Sequence, residues 1–73
     1  MPVLPHISGE ETAKAFQRDG WILVRQRGSH MIMVKDGHIA SLSIPHHKEV
    51  ARGTLRALIR NAGLTVHDFL QLL

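Results

Sequence analysis

Three short apolar segments, separated by turns that contain glycine, occupy the middle of the chain and constrain its fold more than any other feature. The segments cover residues 21–26, 31–34 and 39–44. Between the last two lies Asp36-Gly37, a dipeptide typical of the turn between antiparallel strands. In the third segment Leu42 and Ile44 alternate with serines, as in a strand covered on one side only. The pattern predicts a three-stranded antiparallel sheet with one covered face.

Helical patterns flank the predicted sheet on both sides. Ser8 and Glu11 match a capping box, which predicts a helix over residues 9–19. A second helix is predicted from Thr54, and its apolar face consists of Leu55, Leu58, Ile59 and Ala62. A second capping pattern over residues 65–68 opens a short C-terminal helix. Two helices and three strands share one core only if both helices lie on one face, so we predict an α+β fold of order α-β-β-β-α.

The length of the chain limits it to one domain. Its 73 residues supply apolar material for a single core, and the absence of cysteine excludes disulfides and thiolate metal sites. Residues 1–7 hold two prolines and precede the first helix signal, so we expect a flexible N-terminal arm there. Residues 8–73 are predicted to form the folded domain.

The charge of the chain favours a polyanionic partner. Nine Lys and Arg residues stand against six acidic residues, and the formal net charge is +3. The first residues lack a charged segment followed by an apolar run, so they do not resemble a secretory signal. No stretch approaches the roughly 18 apolar residues that a membrane span needs. We therefore expect a cytoplasmic protein that makes no membrane contact.

Basic residues recur along the second predicted helix. Arg52, Arg56 and Arg60 are spaced four apart, which places them on one ridge of the helix, and Lys48 precedes them. No acidic residue interrupts the ridge. The helix start near Thr54 offers free backbone N–H groups, and the helix dipole favours a phosphate there. The pattern fits both a surface that follows the phosphates of a nucleic acid and an ordinary solvated helix face.

The chain holds six histidines, and three of them lie where chemistry is plausible. His30 follows Gly28-Ser29, where glycine permits a sharp bend that redirects the next side chain. His46 and His47 lie in the loop that leads to the basic helix. By pattern alone, His30 fits a half-buried structural residue as well as a catalytic one.

Five motifs follow one another along the chain: Gly20-Trp21, Arg25-Gln26-Arg27-Gly28-Ser29-His30, Pro45-His46-His47-Lys48-Glu49, Gly53-Thr54-Leu55-Arg56 and Ala62-Gly63-Leu64. In this order and spacing they resemble the HicA family of toxin components, also called the YcfA-like family of mRNA interferases. The resemblance covers nearly the whole chain after residue 7.

The resemblance implies a fold similar to the double-stranded RNA-binding domain. It also implies an endoribonuclease that cleaves mRNA, without a cofactor, and that a cognate HicB antitoxin holds in check. The family's catalytic histidine corresponds to His30, with Ser29 matching beside it, and the histidine of the Pro-x-His motif corresponds to His47. Many relatives carry a second histidine or an aromatic residue where this chain has Met31-Ile32-Met33, a difference that weakens any platform for base stacking.

Metal-independent RNA cleavage requires a base for the ribose 2′-OH and an acid for the leaving 5′-oxygen. Histidine suits both roles because its reference pKa is about 6.5. We expect His30 to be the base or the acid and His47 to be its weaker candidate partner. Arg25, Lys48 or Arg56 would neutralise charge that builds on the phosphate. The sequence shows no acidic cluster suited to Mg²⁺, so we expect no metal.

Three other functions are compatible with the sequence. A non-catalytic RNA-binding module would use the same fold and the same basic helix, and it would need no catalytic histidine. A metal-binding protein would use His46, His47 and one further histidine, although adjacent side chains rarely point the same way. In the third interpretation, another chain covers the sheet or the surface around His30, and this is also compatible with a toxin that an inhibitor blocks.

Overall fold

The computed structural model describes residues 3–73. The elements are α1 (Gly9–Arg18), β1 (Ile22–Arg27), β2 (His30–Val34), β3 (Leu42–Pro45), α2 (Arg52–Asn61) and α3 (Val66–Leu70). The strands form one antiparallel sheet in the order β1-β2-β3. The predicted α+β fold, with α-β-β-β-α order and a short C-terminal helix, is confirmed. None of the helices formed by residues 3–73 is both long and apolar enough to cross a bilayer.

The helix starts predicted from capping boxes are present. The Ser8 hydroxyl accepts the Glu11 N–H at 3.1 Å, and the Glu11 carboxylate accepts the Ser8 N–H at 3.0 Å. Thr65 and Asp68 exchange the same two bonds at the start of α3, at 3.0 and 3.1 Å. The backbone N–H and the hydroxyl of Thr65 hold the pKa of the Asp68 carboxyl below its ordinary value of 3.8.

Both long helices pack on one face of the sheet, which we call the inner face. Its buried strand residues are Met31, Met33, Leu42 and Ile44. From the helices, Phe16 of α1 and Leu55 of α2 are fully buried in the same core. The Phe16 ring lies 5.1 Å from that of Phe69, between centroids, so α3 also belongs to this core.

The third strand is shorter than predicted. It begins at Leu42 and not at Ile39, which is fully exposed in a loop. The Asp-Gly turn is present, with the His38 N–H donating to the Lys35 carbonyl at 3.1 Å. Two tertiary contacts hold this loop outside the sheet: the Lys35 ammonium lies 3.3 Å from the Asp19 carboxylate, and the His38 ring packs edge-on to a buried indole.

The second helix begins earlier than predicted. It starts at Arg52 and not at Thr54, because Gly53 fits within the first helical turn. The Leu55 N–H donates to the Ala51 carbonyl at 2.9 Å, which is the first hydrogen bond of the helix. The N–H of Thr54 still belongs to the first turn, whose N–H groups have no acceptor within the helix.

The N-terminal segment is part of the packed domain, which corrects the prediction of a flexible arm for residues 3–7. Leu4 and Ile7 are buried in the core, and the Ile7 carbonyl accepts the Val50 N–H at 2.8 Å. The burial of these two apolar side chains offsets the entropy cost of ordering the segment. The folded domain therefore begins before residue 8. The prediction for residues 1 and 2 lies outside the described residues.

Candidate functional site

The face of the sheet that the helices leave uncovered, here called the outer face, carries His30. Directly opposite residues of antiparallel strands share a face, and Arg27 lies opposite His30 while Arg25 lies opposite Ile32. Because residues two apart on a strand also share a face, both arginines lie on the same side as His30. All three side chains are exposed. None of the three described strands contains Asp or Glu, so the outer face is basic.

A two-residue turn fixes the position of His30 at the start of β2. Gly28 has a φ of 60°, a conformation that suits glycine at the first position of a tight hairpin turn. The Ser29 carbonyl accepts the His46 N–H at 2.7 Å, which ties the turn to the chain that leaves β3. Ser29 and His30 are therefore held beside the loop that contains His46 and His47, with Pro45 directly opposite His30.

The loop after β3 packs against the start of α1. The Gly9 N–H donates to the His47 carbonyl at 2.9 Å, and the His46 imidazole Nε2 lies 3.5 Å from a carboxylate oxygen of Glu10. This contact directs His46 toward α1 and away from the outer face. A cleft of about 290 Å³ opens here, lined by Ser8, Glu10, His46, His47 and Lys48. The predicted residues His47 and Lys48 thus lie together, next to the turn that carries His30.

The arginine ridge of α2 lies on the other side of the molecule. Leu55 and the other apolar residues of α2 face the sheet, so the exposed Arg56 and Arg60 flank that face or point away from it. Arg52 has partners of its own, since its guanidinium lies 2.7 Å from Nε2 of His6. The predicted RNA-binding residues therefore form two groups, one around His30 and one along α2 with Thr54 in its first turn.

Two residues of the site were missed by sequence reasoning. Arg27 lies closest to His30 in register, and a two-residue turn at Gly28-Ser29 would have predicted this pairing. Glu10 was missed because its contact with His46 joins parts of the chain that are distant in sequence. Among residues 3–73 no cluster of three or more histidine or acidic side chains is placed to hold a metal ion.

The fold is similar to that of a chain in a solved structure described as a toxin-antitoxin complex from Streptococcus pneumoniae. The TM-score is 0.72 and the identity 34%, over 80% of this chain and 98% of that chain. The fold and sequence thus place the protein in the class of bacterial toxin-antitoxin proteins. The family model for the HicA toxin of bacterial toxin-antitoxin systems matches residues 9–64, and the chain belongs to this family. No match was found among curated protein sequences.

Proposed function

We propose that this chain is a toxin that acts as a metal-independent endoribonuclease, with His30 as the catalytic residue and mRNA as the substrate. The observation that carries the proposal is the position of His30, exposed on a basic outer face and directly opposite Arg27. An exposed imidazole beside two guanidinium groups can meet a phosphodiester without moving a buried side chain. Membership of the HicA toxin family supports the same function.

The proposed reaction begins at the ribose 2′-OH. His30 accepts the hydroxyl proton as the oxygen attacks the adjacent phosphorus, which forms a 2′,3′-cyclic phosphate. The bond from phosphorus to the 5′-oxygen breaks, and that oxygen leaves as a hydroxyl after it receives a proton. His47 is the candidate donor, because the Ser29–His46 hydrogen bond keeps its loop beside the turn before His30.

The basic residues of the outer face stabilise the charge that develops on the phosphate. Arg25 and Arg27 are on the same face as His30, and a planar guanidinium can donate two parallel hydrogen bonds to phosphate oxygens. Lys48 supplies a further charge from the neighbouring cleft. The three aromatic residues of the chain, Phe16, Trp21 and Phe69, are all buried, so none of these rings stacks on the bases and the phosphates are the main contacts of the RNA.

A cleavage assay in EDTA tests the proposal. We expect His30→Ala to lose cleavage by about a hundredfold or more, with products of the wild type that end in 2′,3′-cyclic phosphate and 5′-hydroxyl. His67→Ala is the matched control, since His67 is another exposed histidine but lies on α3. Cleavage by His30→Ala at the wild-type rate, with an unchanged melting curve, would remove His30 from the mechanism.

A non-catalytic RNA-binding module is the second candidate function. The observation that favours it is the ridge of Arg56 and Arg60, which lies away from His30 and would serve RNA binding without cleavage. If the purified wild type binds RNA but releases no cyclic phosphate, this second function replaces the first.

The proposal includes a protein partner. Family membership supports a HicB-like antitoxin that binds the toxin and blocks it. Because mRNA is the proposed substrate, the cytoplasm is the compartment in which the reaction would take place.

A further inference from the structure

Strand β1 is exposed on both of its faces. Ile22 and Val24 are 57% and 51% exposed, and Leu23 is 42% exposed although its partner Met33, on the inner face, is fully buried. The helices therefore cover the inner face of β2 and β3, whereas on that face α1 only borders β1, beside Leu23, and leaves its side chains exposed. In the sheet order β1-β2-β3 the far side of β1 also has no neighbouring strand within residues 3–73.

Such a strand is a template for another chain. Its edge presents backbone N–H and C=O groups that another strand can pair with, and three consecutive apolar side chains stand beside them. Val34 lies opposite Ile22 and is also exposed, which extends the apolar patch onto β2. Isolated exposed apolar residues need no explanation, but a contiguous group on a sheet edge marks an interaction site.

The side chains and the free edge of β1 favour a protein partner over RNA. They also favour an acidic segment over a second copy of this chain. Aliphatic side chains and a free strand edge match a peptide, whereas RNA has no aliphatic side chains and no backbone with alternating N–H and C=O groups to pair along that edge. A second copy paired on β1 would bring two more arginines next to Arg25 and Arg27, with no acidic residue in any described strand to balance them. A foreign strand with acidic side chains balances that charge.

We infer that β1 accepts an added strand from the antitoxin, with apolar side chains on Ile22 and Val24 and acidic side chains on Arg25 and Arg27. The partner's identity rests on the proposed function, whereas the place and mode of docking rest on the strand itself. The ladder between β1 and β2 has an irregularity between Leu23 and Arg25. A bulge of this kind discourages pairing with arbitrary strands and favours a segment that fits it.

The docked strand also blocks the site. Arg25 and Arg27 are engaged by its acidic side chains and become unavailable to phosphate, and they lie on the same face as His30. The antitoxin would thus compete with RNA for these arginines and need not bind the imidazole.

Amide hydrogen exchange with a separately purified HicB-like antitoxin tests the docking mode. We expect slower exchange at the alternate amides of residues 22–27 that point away from β2, and no change along the free edge of β3 at the amides of residues 42–44. Protection confined to the helices would overturn the inference. So would protection of β1 that rises with the concentration of the chain alone, because the occupant would then be a second copy.

Affinity measurements on matched variants give the second readout. Val24→Asp should weaken antitoxin binding by about tenfold or more, and Val24→Lys by less, because the docked strand is acidic. Ile39→Asp is the control, since Ile39 is an exposed aliphatic residue in the loop between β2 and β3. Ile22→Asp repeats the test in case Val24→Asp fails to fold. Equal affinity for Val24→Asp and Ile39→Asp would overturn the inference.

The two proposals fail in different ways. If the antitoxin protects β1 but the wild-type chain does not cleave RNA, the ribonuclease proposal fails and the docking mode stands. If the chain cleaves RNA and the antitoxin inhibits it without protecting β1, the docking mode fails and the ribonuclease proposal stands. A short single-stranded RNA that slows the same β1 amides as strongly as the antitoxin would also overturn the docking mode.

Discussion

Gly9 lies where α1 closely approaches the loop that supports the site. A Cβ built on Gly9 would overlap the carbonyl oxygen of Pro45, and this neighbour is backbone that cannot turn aside. The same glycine donates its N–H to His47. The identity of residue 9 therefore decides how closely the loop of His46 and His47 packs against the domain.

We predict that Gly9→Ala lowers the free energy of unfolding by about 1–3 kcal/mol, because the added methyl group forces the Pro45 backbone to move. Gly53→Ala is the matched control. Gly53 also lies in the first turn of a helix, but a Cβ there meets nothing within 4 Å. Since alanine favours the helix, this control should raise the stability by up to about 1 kcal/mol. Urea denaturation measures both changes, and equal midpoints for the two variants would contradict the prediction.

Local signals explain which residue-scale features were predictable. The capping boxes at Ser8 and Thr65 depend on residues three apart in sequence, and both were predicted. The contact between Glu10 and His46 joins two segments that only the tertiary fold brings together, so the sequence pattern does not predict it. To predict that His30 lies on the outer face, the register between β1 and β2 must be known, and the turn at Gly28 sets that register.

At the scale of elements, α2 presents a basic surface that is separate from the outer face. Arg56 and Arg60 are exposed, and no acidic residue lies within the helix. Arg52 belongs to the same ridge but contacts His6, whose Nδ1 lies 3.1 Å from the Glu49 carboxylate. Within the ridge, Arg52 is therefore already engaged by a neighbouring side chain, whereas Arg56 and Arg60 are exposed. These two arginines give the better test of phosphate binding.

We predict that Arg56→Gln and Arg60→Gln each reduce the salt dependence of RNA binding, lowering the slope of log Kobs against log salt by about 1. Each variant removes one cation that releases a counterion when it meets a phosphate. Lys14→Gln is the control, because Lys14 is an exposed cation on α1. Filter binding across a salt series measures the slope. An unchanged slope for both arginine variants would leave the ridge as an ordinary solvated helix face.

Helices and strands could be predicted from the sequence where one hydrophobic period dominates. The positions of their ends were harder to predict. The apolar spacing of α2 and the alternation in β3 predicted both elements. The packing of the N-terminal segment was not predicted, because Leu4 and Ile7 show no period and their burial depends on core residues that are distant in sequence. The late start of β3 has a similar cause, since contacts of Lys35 and His38 hold the loop away.

At the scale of the whole molecule, two basic surfaces lie on opposite sides of a thin domain. The smallest extent of the Cα trace is 17 Å, and the helices fill one layer while the sheet forms the other. From the sequence, Arg25 and Arg56 were both predicted as residues that could neutralise charge on the phosphate at His30. In the structure these arginines are separated, because α2 packs on the inner face and Arg25 lies on the outer face. The order of elements along the chain does not predict this, since it does not specify which face of the sheet the helices cover.

The outer face thus carries both the proposed catalytic residue and the proposed docking strand. A growth assay can test whether the antitoxin uses that strand to inhibit the toxin. Expressed alone in a bacterial host, the wild type should arrest growth and His30→Ala should not. Co-expressed antitoxin should restore growth to the wild type and to the Ile39→Asp control. Val24→Asp should arrest growth by itself and resist rescue, because Val24 contributes to the docking strand but not to the proposed chemistry. Full rescue of Val24→Asp would mean that the inhibitor reaches His30 without using β1, from the side of β3 or the loop of His46 and His47.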